Sequence, residues 1–385
     1  MKLTWVNHSG FLLEHEGVVL LSDPWLEGAV FDDGLDLLLP SRFAPDDFAR
    51  ATHLWLSHEH PDHFCTPSLE KVPLPPRLPV LYQDADFGRV RDWCAARGHP
   101  VQVLPAGEWV RLGPDFEVLC QPFGFMDSWL AIRAGGRQLL NLNDCNVDTV
   151  EAAQAIRDQL GPIDLLMQQY SFGGYSGDTP RQREHGSRHM LWRIQMATEV
   201  LKPRQFMPTG SYSWFCHQEN HHLNQQANRI EKVTRFVDKD CGTPAVVLLP
   251  GQSWQVGDPH DSRRAVTLFR RAFEEKLSTR QVRTSATVPP EQLMGLAEGF
   301  LRRLRADNPD WEPLRKARFE PTTLFLADHG SSWELHPEKG LLPADVHASN
   351  CDVALASSSL DQALRYPWGD STVGINGRFY KPQGG

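Results

Sequence analysis

The most informative part of this chain is Ser57-His58-Glu59-His60-Pro61-Asp62-His63, which follows the apolar residues 54–56. It has the pattern H-x-H-x-D-H, with four potential metal ligands within six residues. In an extended segment, side chains two apart point the same way, so His58 and His60 can bind one ion. A turn favoured by Pro61 would direct the last two residues of the motif toward a second ion. Imidazole and carboxylate ligands together suit zinc or iron better than calcium or magnesium.

Length and composition exclude several classes of protein. The chain has 385 residues, which favours two or three domains, and a hydrophobic content of 41%, which is ample for a core. A net charge of −9 without a large basic block argues against nucleic-acid binding. No apolar run is long enough to span a membrane, and the N-terminus begins directly with a strand-like pattern, so we expect neither a membrane segment nor a signal peptide. Seven cysteines without C-x-x-C spacing predict reduced thiols and a cytoplasmic location.

Strand-like and helix-like segments alternate along residues 1–258, which predicts a layered α/β domain. The predicted strands are 2–6, 11–14, 18–21, 52–57, 80–82, 101–104, 116–120, 130–134, 138–142, 164–168, 205–208 and 245–249. The predicted helices are 88–97, 147–159, 183–201 and 220–236. After residue 258, two charged amphipathic patterns precede further strand-like pieces. Residues 259–385 are therefore predicted to form a smaller α+β domain, which would act as a lid over the site or as a subunit interface.

A strand followed by H-x-H-x-D-H in such a chain resembles the metallo-β-lactamase superfamily. The resemblance implies an αββα sandwich over residues 1–258, with metal ions at one edge of the two sheets. It also implies three ligands outside the motif, two of which have a match in this sequence. Asp144 lies at a predicted strand end and matches the aspartate that bridges the ions, and His217 matches the last histidine. The ligand set implied for the chain is His58, His60, Asp62, His63, Asp144 and His217.

One ligand that the resemblance implies has no match in this sequence. The superfamily places a third histidine of the first site a few residues before an Asp-Ser or Asp-Thr pair. Here that pair is Asp127-Ser128, and residues 123–126 contain no ligand type. Two histidines and one carboxylate with open positions favour non-haem iron, whereas three neutral histidines suit a zinc-bound hydroxide. A water molecule or another residue could also fill the position.

A more specific resemblance is to the catalytic domain of the CMP-N-acetylneuraminate hydroxylase family. It rests on short segments in the same order and with similar spacing: Asp23-Pro24-Trp25-Leu26, His60-Pro61-Asp62-His63, Thr66-Pro67-Ser68-Leu69, Asn143-Asp144-Cys145, Phe172-Gly173-Gly174 and Pro250-Gly251. It implies an iron-dependent monooxygenase. The C-x-H and C-x-x-H pair of that family's Rieske domain is missing here, so electrons would come from a separate protein. Residues 351–353, 366–369 and 376–378 are reminiscent of sterol-carrier-like modules.

Two further residues are candidates for catalytic roles beside the metal ligands. Asp23 ends a predicted strand and is expected to orient a ligand histidine, although a turn aspartate before Pro24 explains it equally well. His8 lies on an early turn that the fold would bring near the metal ions. The alternative for His8 is ordinary packing.

Three functions are compatible with these residues. The first is an iron-dependent oxygenase, with one or two ions, that oxidises a polar small molecule. The second is a zinc-dependent hydrolase of an ester, amide or phosphodiester. The third is a non-catalytic binding protein on the same scaffold. The expected partners are a small-molecule substrate and a separate electron donor, and neither nucleic acid nor a membrane is expected.

Overall fold

A computed structural model describes residues 1–43, 45–86, 88–318 and 320–382. Its strands, in chain order, are Lys2–Asn7 (β1), Gly10–His15 (β2), Val18–Ser22 (β3), Leu35–Leu37 (β4), His53–Trp55 (β5), Val80–Gln83 (β6), Val101–Leu104 (β7), Trp109–Gly113 (β8), Phe116–Phe123 (β9), Asp127–Ala134 (β10), Arg137–Asn143 (β11), Leu165–Gln169 (β12), Gln205–Thr209 (β13), Ser213–Phe215 (β14), Ser253–Gln255 (β15), Thr322–Leu326 (β16), Ser331–His336 (β17), Gly340–Ala344 (β18), Val353–Leu355 (β19) and Phe379–Tyr380 (β20).

Helices cover these strands on several sides. They are Pro45–Ala49 (α1), Thr66–Lys71 (α2), Arg89–Arg97 (α3), Val150–Leu160 (α4), Pro180–Leu201 (α5), Ile230–Lys239 (α6), Arg263–Ser278 (α7), Pro290–Asp307 (α8), Trp311–Arg318 (α9), Ser357–Arg365 (α10) and Gly369–Asn376 (α11). Short 3-10 turns occupy His221–Gln225 and Ala348–Asn350. Within the described ranges, none of the helices combines the length and the apolar character needed to cross a membrane.

Two sheets form the first part of the molecule. The seven-stranded sheet has the order β15-β1-β2-β3-β5-β6-β7, and its strands from β3 to β7 run parallel. The six-stranded sheet has the order β13-β12-β11-β10-β9-β8, in which β11, β12 and β13 run parallel. Parallel strands direct their carboxyl ends to one edge of a sheet, which is where such folds bind ligands.

Alternation of side chains along the strands separates the layers. Trp55 of β5 enters the core between the sheets, whereas its neighbours Leu54 and Leu56 pack on the opposite face with Val90 and Cys94 of α3. On the second sheet, α4 and α5 contribute apolar residues to the same large core as β11 and β12. Sheets on the inside and helices on the outside confirm the predicted αββα sandwich.

A second core lies in the C-terminal part of the chain. A five-stranded sheet of order β18-β17-β16-β19-β20 packs against α8 and α10, with Leu293 and Trp333 in the shared core. Helix α7 belongs to the first core instead, through Phe269 and Phe273. The first core therefore continues past the predicted boundary at residue 258. The last three residues of the predicted second domain lie outside the described ranges.

Two local predictions differ from the structure. Residues 245–249 were expected to be a strand, but only an isolated bridge between Phe206 and Ala245 forms. The Val247 backbone N–H donates to Ser262 Oγ at 3.0 Å rather than to a strand, so no ladder continues. The helix expected over 220–236 is divided into the 3-10 turn and α6, because Asn224 uses its side chain to bond the backbone of Phe215.

The sandwich core predicts how valines on its strands contribute to stability. Val118 in β9 is fully buried, whereas Val103 in β7 is 40% exposed. We expect Val118→Ala to lower the free energy of unfolding by about 1.5–3 kcal/mol, because buried methyl groups and their contacts are lost. Val103→Ala, as the matched control, should change it by less than about 0.5 kcal/mol. Urea denaturation of both variants measures the difference, and equal effects would contradict the layer assignment.

Candidate metal centre

The strand ends of both sheets converge at one edge of the sandwich. His8 follows β1, Asp23 follows β3, the H-x-H-x-D-H motif follows β5, and Asp144 follows β11. Asp127 is the first residue of β10 and reaches the same edge. The fold thus collects polar side chains from five separate parts of the chain.

Hydrogen bonds shape the loop that carries the motif. The backbone N–H groups of His63 and Phe64 both donate to the carbonyl of His60, at 3.0 and 2.7 Å, and close a turn. The carbonyl of Ser57 accepts from Gln83 Nε2 at 2.9 Å and Ser128 Oγ at 2.7 Å. Strand β6 of the first sheet and strand β10 of the second thereby hold the start of the loop in place.

Seven side chains form three overlapping groups of potential ligands. In each group the ligand atoms lie within 4.8 Å of one another. The groups are His58, His60 and Asp127; then His58, His63 and Asp144; then His8, Asp62 and His63. The shared residues His58 and His63 join the three groups into one cluster.

Distances within the cluster are too short for unrelated neighbours. His58 Nε2 lies 2.9 Å from His60 Nδ1 and 3.6 Å from Asp127 Oδ1. His63 Nε2 lies 3.5 Å from Asp62 Oδ2 and 3.4 Å from Asp144 Oδ2. Imidazole nitrogens and carboxylate oxygens therefore face one another across a common centre.

Unpaired polar atoms show that the cluster fits a cation. Within the described part of the chain, five buried ligand atoms of the cluster have no hydrogen-bond partner: His8 Nδ1, Asp62 Oδ1, His63 Nε2, Asp127 Oδ1 and Asp144 Oδ1. Buried polar atoms are normally paired, because an unpaired one has lost its water without compensation. One or two metal ions would satisfy this donor set of imidazoles and carboxylates.

Asp23 contacts the cluster through His63 Nδ1, the ring nitrogen that faces away from Asp62 and Asp144. Its Oδ2 accepts from Ser57 Oγ at 2.7 Å and from Asn143 Nδ2 at 3.1 Å, and lies 3.0 Å from His63 Nδ1. Asp23 thus contacts a candidate ligand histidine, and its role in orienting that ligand stays a prediction. A proton on Nδ1 that is donated to the carboxylate leaves Nε2 free to face Asp62 and the metal centre.

The backbone is unusual where these residues leave their strands. His8, Asp23 and Asn143 have left-handed φ angles of 50°, 37° and 55°. Such angles are unfavourable for residues with a Cβ and are found at sites where the surrounding structure enforces them. From these positions His8 contacts Asp62, Asp23 contacts His63, and Asn143 donates to Asp23. Gly210 also has a positive φ, of 62°, and a Cβ there would lie 2.9 Å from Asp144 Oδ1.

Burial and neighbouring charges set the protonation of the histidines. Burial lowers the pKa of His58 well below its ordinary value, and His63 and His60 lower it further. Burial also lowers the pKa of His60. Both rings are therefore neutral at pH 7 and offer a lone pair, which is the form that binds a metal ion.

The carboxylates favour positive charge beside them. Burial alone would raise the pKa of Asp62, but His63 and His8 hold it below its ordinary value. Burial alone would lower the pKa of His63, but Asp62 and Asp144 raise it well above that value. Burial, followed by the charge of Asp144, raises the pKa of Asp127 to about 7. A metal cation would provide the positive charge that these groups require.

The structure brings five of the six predicted ligands together and places His217 elsewhere. His217 Nε2 lies 3.2 Å from Ser285 Oγ, and its Nδ1 accepts from the backbone N–H of Glu219 at 3.3 Å. In the described ranges it belongs to none of the His and Asp groups of the cluster. Its assignment as a ligand is therefore corrected: the loop that carries it turns toward the C-terminal part of the chain.

Sequence reasoning missed Asp127 as a ligand. In the sequence, Asp127 only marks the Asp-Ser pair, because the resemblance to the superfamily implies a histidine a few residues before that pair. The structure puts the carboxylate of Asp127 itself beside His58 and His60. The available signal was a carboxylate at the first position of a strand, β10, that begins at the site. His8, predicted to be catalytic, takes part in the cluster through Asp62, at 3.2 Å.

Comparison with known proteins gives a family match for the first part of the chain. Residues 2–167, which include the motif, match the family described as "Beta-lactamase superfamily domain". The described fold and the buried His and Asp cluster agree with that match.

Curated relatives include enzymes of two kinds. Cytidine monophosphate-N-acetylneuraminic acid hydroxylase of Cricetulus griseus is 23% identical over 287 residues, which are 68% of this chain and 50% of the relative. The chain thus spans about half the length of this hydroxylase. A metal-dependent hydrolase of Paracoccus denitrificans is 44% identical over 63 residues, which are 16% of this chain and 24% of the relative.

Similar folds occur among solved structures. The diiron β-hydroxylase CmlA of Streptomyces venezuelae has a TM-score of 0.45 and 19% identity, over 66% of this chain and 54% of that protein. Isothiocyanate hydrolase from Delia radicum gut bacteria has a TM-score of 0.49 and 13% identity, over 66% of this chain and 98% of that protein.

The different placement of His63 and His217 leads to a direct test. We expect His63→Ala to lower metal affinity by about tenfold or more, because a residue shared by two ligand groups is lost. His217→Ala should retain the metal content of the parent protein, since its ring contacts Ser285 and Glu219 instead. Metal analysis after identical purification measures both. Equal metal loss in the two variants would return His217 to the ligand set.

Proposed function

We propose that this chain, whose residues 2–167 match the metallo-β-lactamase superfamily, is a metal-dependent enzyme that uses non-haem iron, as one or two ions, to oxidise a polar small molecule. The observation that carries the proposal is the group formed by His58, His60 and Asp127. Two histidines and one carboxylate with open positions are the arrangement of non-haem iron oxygenases.

The carboxylates of the cluster strengthen the preference for iron. Asp127 stands near the position where a zinc hydrolase of this superfamily would have a third histidine. Asp62 and Asp144 add two more carboxylates around His63. The cluster thus combines histidines with carboxylates, as the sites of non-haem iron oxygenases do.

The protein's own residues would hold and orient the reacting groups. When bound, iron would supply the activation of dioxygen. His58, His60 and Asp127 would hold one ion, with Asp62, His63 and His8 around a second. Asp144 would lie between them. Asp23 would keep the ring of His63 in a single orientation.

A cavity beside His60 offers a place for the substrate. A small space of about 40 Å³ reaches His60, and a larger one of about 580 Å³ opens next to it. The larger volume is typical of small-molecule sites. Residues lining both spaces are Phe31, Pro61, Arg89, Trp368 and Thr372. Their mixture of aromatic and polar groups fits a polar small molecule, and two of them come from the C-terminal part of the chain.

Electrons for such a reaction would come from a separate protein. Insertion of one oxygen atom of dioxygen into a substrate, with reduction of the other atom to water, takes two electrons from a reductant. An electron-donor protein is therefore part of the proposal.

A zinc-dependent hydrolase is the second candidate. It is favoured by the 44% identity, over 63 residues, to a metal-dependent hydrolase. On this alternative, the same cluster would lower the pKa of a metal-bound water, and an ester, amide or phosphodiester would be cleaved.

Metal loading with dioxygen measurement separates the two candidates. We expect anaerobically iron-loaded protein to consume dioxygen in the presence of a chemical reductant, and zinc-loaded protein to cleave no nitrophenyl ester or phosphodiester. Asp127→His should raise zinc affinity and lower iron affinity by about tenfold, because it creates a third neutral ligand. Asp158→His, an exposed position on α4, is the matched control and should change neither affinity.

The opposite result would favour the hydrolase. Ester or phosphodiester cleavage by the zinc form, with no dioxygen consumed by the iron form, would refute the oxygenase. Unchanged metal preference in Asp127→His would remove the observation on which the proposal rests.

A further inference from the structure

A left-handed turn lies next to the metal centre. Phe31, Asp32 and Asp33 have consecutive φ angles of 52°, 54° and 56°, and none of them is glycine. Each of these angles brings a Cβ close to its own backbone, so three in succession do not persist without outside support. The turn therefore depends on contacts with other parts of the chain.

The C-terminal part of the chain supplies those contacts. Arg378 Nη1 donates to the carbonyl of Asp32 at 2.8 Å and to its carboxylate at 2.6 Å. Asn376 Nδ2 donates to the carbonyl of Phe31 at 3.0 Å. A Cβ on Gly34 would lie 2.4 Å from Asn376 Cβ, so the turn and the end of α11 are in close contact.

Arg378 is itself held firmly in place. Its side chain is fully buried, and it also donates to Glu219 at 2.8 Å, Ser358 at 2.8 Å and Ser285 at 3.2 Å. A buried cation with two carboxylate partners has one well-defined geometry, and loss of the cation would leave both carboxylates without it. Ser285 is also the residue that contacts His217. The loop predicted to supply a metal ligand thus contributes to this network instead.

The turn also contacts a candidate metal ligand, His60. The ring of Phe31 meets the ring of His60 edge to face, with 5.7 Å between the centroids. The only side chain to which His60 has a short polar contact, among the residues described, is His58, at 2.9 Å. Phe31 and His58 are therefore the two rings that contact His60 within the described residues.

We infer that Arg378 is a positioning residue for the metal centre: by holding the turn 31–34, it keeps Phe31 against His60 and fixes the ring for metal binding. The inference rests on the metal-binding role of the cluster in the proposed function. It does not depend on the reaction that the metal supports. It also means that the sandwich alone does not complete its own site, because the last segment of the chain positions one of the ligands.

Cobalt binding to the full chain tests the inference without any turnover. Cobalt(II) ions are titrated into metal-free protein, and the visible absorption reports the geometry of the bound ions. We expect Arg378→Gln to weaken binding at the ion held by His60 by about tenfold and to change its spectrum, as loss of support behind a ligand does. The matched control is Arg365→Gln, which removes an exposed arginine paired with Asp361 on α10. It should leave affinity and spectrum unchanged.

Two further variants separate positioning from simple loss of stability. Phe31→Ala leaves Arg378 and its partners intact, and it should reproduce the spectral change. Combining Asp32→Asn with Arg378→Gln should cost no more cobalt affinity than Arg378→Gln alone, since both changes break the same contact. Phe31→Ala with an unchanged cobalt spectrum would overturn the inference. So would an Arg378→Gln variant that loses thermal stability but binds cobalt normally. Should Arg378→Gln not fold, Phe31→Ala decides alone.

Discussion

Three carboxylates gathered at one buried edge of the sandwich set the main physical constraint of this molecule. Asp62, Asp127 and Asp144 come from three separate strand ends, and their oxygens surround His58 and His63. So much negative charge with unpaired oxygens is unfavourable unless a cation is close. The constraint explains why the surrounding histidines are arranged as they are. It also explains why a metal-dependent function is the simplest interpretation of the fold.

The large core stabilises the fold enough to support the unfavourable features of this site. Left-handed backbone at His8, Asp23 and Asn143 and unpaired polar atoms are both unfavourable, and a small domain would not maintain them together. Here two sheets pack face to face, and helices α4 and α5 extend the core beyond the second sheet. The strained residues all lie where strands leave this packed region. Rigid strands therefore decide the direction of the ligand side chains.

The C-terminal part of the chain forms its own core and also contacts the surroundings of the metal centre. Its sheet and helices α8 and α10 form a separate apolar cluster. Yet α11 and Arg378 contact the turn that faces His60, and Trp368 lines the cavity beside the site. The lid role expected from the sequence is consistent with these contacts and stays a prediction. In the proposed function the preference for iron rests on Asp127, whereas the cavity beside the site is lined in part by residues more than two hundred positions later.

What the sequence by itself determined is local. Alternation of apolar residues predicted most strands, and H-x-H-x-D-H placed four ligands in one loop, because side chains within six residues cannot be far apart. Asp144 was identified through the resemblance to the superfamily, as a match to its bridging aspartate. The position of Asp127 beside His58 and His60, the contact of His8 with Asp62, and the position of His217 were decided only by the tertiary structure. Each depends on which strand ends meet across the two sheets and on how the C-terminal segment packs. Spacing along a chain does not fix such contacts, since they arise from the summed packing of distant residues.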